Sequence, residues 1–136
     1  MGLPLPLVGL WGARKEAAQA ARALAHLVSM IRNIERACPV HMIAHSLGGH
    51  LALETMQYLN RGDLGRVILM NAAAYQSHAQ AALRTPAGQG CELFNVISRE
   101  NSLFDLMFEY ALRPHKRFDR ALGRGISARN ALTLDL

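Results

Sequence analysis

The segment Val40-His41-Met42-Ile43-Ala44-His45-Ser46-Leu47-Gly48-Gly49-His50 holds the residues best suited to chemistry. A serine hydroxyl, Ser46, stands where an apolar run meets the start of a helical pattern. Such a serine becomes a nucleophile when a sharp strand-to-helix turn lifts its oxygen clear of the fold, and a base removes its proton. The turn brings strand and helix close together, so the residues two before and two after the serine must be small. Ala44 and Gly48 satisfy this requirement, and Gly49 follows at the helix start. The same geometry aims the backbone N–H of Leu47 into the space above the serine, at a helix N-terminus that favours negative charge. Half of an oxyanion hole follows from the backbone alone.

The competing reading makes Ser46 an ordinary helix N-cap. It leaves the paired small residues and the strand immediately upstream unexplained. The nearby histidines are expected to be structural. His45 adjoins Ser46 but points elsewhere in such a turn, and neither His41 in the strand nor His50 on the helix lies where a base approaches the hydroxyl. His26, on a helix remote from the turn, is expected at or near the surface.

On the string Ala44-His45-Ser46-Leu47-Gly48-Gly49 the chain resembles the α/β-hydrolase superfamily, and more narrowly its lipase and esterase-like members. Ala44 replaces the first glycine of the Gly-x-Ser-x-Gly elbow, a change the steric argument tolerates. The resemblance implies a small-molecule acyl substrate, an ester or thioester, and a triad in the chain order serine, acid, histidine. It places the acid in the loop after a later strand, where Glu100 is the natural candidate and Asp105 the reserve; the aspartate usual in that loop is absent, the nearest positions holding Asn101 and Ser102. The competing reading of Glu100 is a solvated loop residue. The base that remains after Glu100 is His115, between Arg113 and Lys116, whereas His78 precedes the acid. Neither a cofactor nor a metal is expected. The resemblance covers roughly residues 15–112, so a truncated hydrolase-like core is expected, with strands missing at both ends. The alternative reading is a non-catalytic scaffold acting through binding, and open sheet edges predict association into a homo-oligomer.

These residues need a framework. Residues 15–36 read as an amphipathic helix, with Ala17, Ala20, Ala21, Leu24, Leu27, Val28, Ile31 and Ile34 at helical spacing. Residues 40–44 suit a buried parallel strand, and 49–59 a helix closed by Asn60, Gly62 and Asp63. A second strand is expected at 66–70, then an alanine-rich, partly helical stretch at 72–83 broken by Pro86, Gly88 and Gly90. A third strand at 93–97 precedes a helix from Ser102 to Leu112, and 131–136 offers a last strand. This alternation predicts an α/β fold, a three-layer αβα arrangement about a mostly parallel sheet. Residues 1–136 read as one domain, with 113–136 weakly structured.

Composition narrows the classes. A 136-residue chain with 51% hydrophobic and 18% charged residues can bury a core. The net charge of +5 comes from dispersed basic residues without a recognition motif, so no nucleic-acid partner is expected. Cys38 and Cys91 do not make a disulfide framework. The apolar start contains Pro4 and Pro6 and lacks a basic leader, so neither a signal peptide nor a membrane span is expected, and a cytoplasmic location is the default.

Overall fold

A computed structural model describes residues 5–98 and 119–136. The elements run α1 (Leu5–Ile34), β1 (Val40–His45), α2 (Leu47–Thr55), β2 (Leu64–Met70), α3 (Gln76–Arg84), α4 (Pro86–Gly90), β3 (Glu92–Ile97) and β4 (Ala131–Asp135). Short 3-10 turns follow α2 at Met56–Tyr58 and precede β4 at Leu122–Arg124. The strands lie in the order β1-β2-β3-β4 and every pairing is parallel. The expected α/β class with a parallel sheet is therefore the observed one.

Alternation along each strand divides the sheet into two faces. The in-register row Met42, Val67, Leu93 and Ala131 packs toward the helices, as does the row Ala44, Leu69, Asn95 and Thr133. Leu53, Met56, Leu59 and Leu83 complete that core from the helical side. The opposite face carries the row Ile43, Ile68, Phe94 and Leu132, of which Ile43 is 72% and Leu132 52% exposed. One face thus holds the core, while the other presents apolar side chains to solvent.

Several local outcomes depart from the sequence-based expectations for physical reasons. Helix α1 begins at Leu5 rather than near residue 15, because Pro6 falls in its first turn, where a missing N–H costs nothing. Its buried stripe is Ala17, Ala21, Ala25 and Val28, small residues that let it lie close to α2. Leu27, Ile31 and Ile34, expected on the apolar face, are exposed. The alanine-rich helix does end before Pro86, with α3 closing at Arg84, but Pro86 also opens a short helix of its own, which Thr85 caps by accepting the Gly88 N–H at 3.1 Å. The helix expected from Ser102 to Leu112 lies outside the described residues.

Two features knit the far end of the sheet. Asn130 donates to the carbonyls of Gly88 and Cys91 at 2.7 and 2.8 Å, tying the entrance of β4 to α4 and β3. Buried Asn95 donates to the Leu122 carbonyl at 2.9 Å, holding the 3-10 turn under the sheet. The division into faces predicts opposite responses to truncation. Leu69→Ala should cost about 3 kcal/mol of unfolding free energy, whereas Ile43→Ala should change it by less than about 0.5 kcal/mol. Urea denaturation measures both, and equal losses would contradict this packing.

Candidate functional site

Ser46 sits between the last residue of β1 and the first of α2. Its backbone has φ 51° and ψ −118°, a left-handed-side conformation that costs a non-glycine residue about 1–3 kcal/mol. Three hydrogen bonds hold it there. The Ser46 N–H donates to the Met70 carbonyl at 3.0 Å, and the Ser46 carbonyl accepts from Gly49 N–H at 3.0 Å and Ala73 N–H at 2.9 Å. The end of β2 and the loop beyond it therefore form the floor of the turn.

The Ser46 side chain makes no capping hydrogen bond to α2, so the ordinary N-cap explanation of this serine does not apply. The residue is half-buried. Leu47 is the first residue of α2, and its N–H has no carbonyl four residues earlier within the helix. His45 is exposed on the opposite sheet face, alongside Ile43.

The demand for small residues is unequal. A Cβ on Gly49 would lie 2.5 Å from the Ala72 Cβ and 3.1 Å from its Cα, so glycine there lets α2 reach the backbone beyond β2. A Cβ on Gly48 meets only the Ala44 Cβ, at 3.9 Å, which is ordinary contact. The tight approach falls one residue later than the elbow pattern implies. Ala72, Ala73 and Ala74 are buried around this contact, and Asn71, at φ 45°, donates to the Val96 carbonyl and accepts from Ser98 N–H. Thus the ends of β1, β2 and β3 are joined around the serine.

The other histidines separate by role. His41 accepts the Arg66 N–H through Nδ1 at 2.9 Å beside the irregular β1–β2 register, and Gly65 leaves room for its ring. His26 is exposed. His50 is 5% exposed, and its ring centroid lies 4.5 Å from that of His78 on α3. His78 Nε2 is 2.7 Å from Glu54 Oε1, one helical turn beyond His50. That contact is the main reason the Glu54 carboxyl is held below its ordinary value, against the opposing effect of partial burial. Sequence reasoning missed this cluster. The His50–Glu54 spacing was its one visible trace, since His78 arrives from another helix.

Cys91 is buried and its thiol is pushed up to about 11 by burial, which removes it from consideration as a thiolate nucleophile. Glu100 and His115, the expected acid and base, and Asp105, the reserve acid, lie outside the described residues.

A half-buried serine on a positive-φ turn between a parallel strand and a helix is an arrangement found in lipase-like proteins of α/β architecture. Residues 11–92 match the model of the T6SS Tle3 phospholipase effector domain, and the chain belongs to that lipase-like family. The matched region runs from within α1 to the first residue of β3 and includes the whole Ser46 turn. Comparison with curated proteins and with solved structures gives no match. No described helix is long and apolar enough to cross a membrane.

The steric asymmetry can be measured. Gly49→Ala should destabilise the fold by about 1–3 kcal/mol through overpacking against Ala72, while Gly48→Ala should be tolerated. Thermal unfolding of the two variants provides the comparison, and equal midpoints would refute the stated packing.

Proposed function

We propose that this chain is a serine hydrolase of the α/β-hydrolase type, acting on the acyl ester of a phospholipid or a related apolar ester. The observation that carries the proposal is the Ser46 backbone, strained at φ 51° without a capping hydrogen bond, in a chain of a phospholipase effector family. Strain that a simple helix start would not need is explained by display of the hydroxyl.

In this mechanism Ser46 Oγ attacks the ester carbonyl and forms a C–O bond, while His115 accepts the serine proton. The Leu47 N–H donates to the resulting oxyanion, a contact worth about 3 kcal/mol in the transition state. Collapse of the intermediate breaks the bond to the leaving alcohol, which takes the proton from His115. Water then repeats the sequence to release the fatty acid and free Ser46. Glu100 orients His115 and stabilises its charged form.

A second reading rests on the apolar row Ile43, Ile68, Phe94 and Leu132, exposed at Ile43 and Leu132, together with β1 and β4 as the edge strands among the described residues. In it the chain is a hydrolase-like scaffold that associates with a second copy of itself through this surface.

A fluorophosphonate probe discriminates between the two. Covalent labelling of the wild type, lost in Ser46→Ala and reduced by at least about 100-fold in rate in His115→Ala, is the outcome the hydrolase reading requires. Failure to label a folded wild-type chain, combined with concentration-dependent dimerisation in light scattering, favours the scaffold. Labelling undiminished in His115→Ala would remove that residue from the mechanism.

A further inference from the structure

His50, Glu54 and His78 form a compact group of donors on two helices, away from the serine turn's own hydrogen bonds. One ligand atom from each, an imidazole nitrogen from both histidines and a carboxylate oxygen from Glu54, lie within 4.8 Å of one another. His50 and Glu54 share one face of α2 because they are four residues apart, and His78 comes across from the first turn of α3. The His78 side chain is 19% and that of Glu54 24% exposed, so the cluster is sheltered yet open on one side. With His78 Nε2 engaged by Glu54, its Nδ1 is buried without a hydrogen-bond partner among the described residues.

We propose that His50, Glu54 and His78 constitute a zinc-type divalent-cation site that fastens α2 to α3. Two imidazoles and one carboxylate are a donor set suited to zinc, with a fourth position left for water on the exposed side. Bonds of about 2.1 Å place tetrahedral ligand atoms roughly 3.4 Å apart. The observed group reaches this by side-chain rotation, widening the 2.7 Å His78–Glu54 contact and closing the longer separations. The cation would rigidify the helix whose first turn follows Ser46. The site would form whether or not Ser46 is reactive. The competing view is an ion pair between Glu54 and His78 with His50 packed beside it, and no cation involved.

The test uses the full chain without a histidine tag, stripped with a chelator and titrated calorimetrically with zinc chloride. One zinc per chain is expected, with a higher thermal midpoint and a visible Co2+ spectrum of low coordination number. His78→Gln and Glu54→Gln should each weaken zinc affinity by about 100-fold or more, while Cys38→Ser should leave it unchanged. Should His50→Gln fail to fold, the other two variants decide the matter. Absence of saturable binding, or binding unaltered by His78→Gln and Glu54→Gln, overturns the proposal.

Discussion

The Ser46 backbone conformation is the constraint on which the rest of the site depends. An L-residue does not stay at φ 51° and ψ −118° unless its surroundings over-determine it. Here the bonds to Met70, Gly49 and Ala73 do so, and each needs the neighbouring strand or helix to be in place. The parallel β1–β2 register brings His45 beside Met70, which sets the Met70 carbonyl opposite the Ser46 N–H. The turn is therefore a product of the sheet as much as of its own residues.

The helical layer reinforces the same point from behind. The alanine stripe of α1 lets it lie close to α2, and Gly49 lets α2 lie against Ala72. Small residues at these contacts exchange buried area for proximity, and the area is recovered by Leu53, Met56, Leu69 and Leu93 deeper in the core. His50 and Glu54 project from the helix so positioned, which is why they meet His78 at all. A single placement of α2 serves both the serine turn and the histidine cluster.

The two faces of the sheet have unequal fates. The face toward the helices is filled, including a fully buried asparagine that spends its amide on the Leu122 carbonyl. The other carries an in-register apolar row whose outer members, Ile43 and Leu132, are exposed while Ile68 and Phe94 are half-buried.

Local pattern in the sequence was enough to place β1, α2, β2, β3 and β4 within a few residues of their observed positions. Each is a short apolar run or a helical repeat bounded by turn chemistry, and such signals are carried by neighbours in the chain. The small-residue environment of Ser46 was legible for the same reason. Only the tertiary structure decided that the tight contact belongs to Gly49 rather than Gly48, because the clashing atoms come from Ala72, beyond the next strand. It alone joined His50 and Glu54 to His78, and it alone left Leu27, Ile31 and Ile34 of α1 in solvent. Periodicity says which residues share a face, but which partner covers that face is a property of elements distant in sequence.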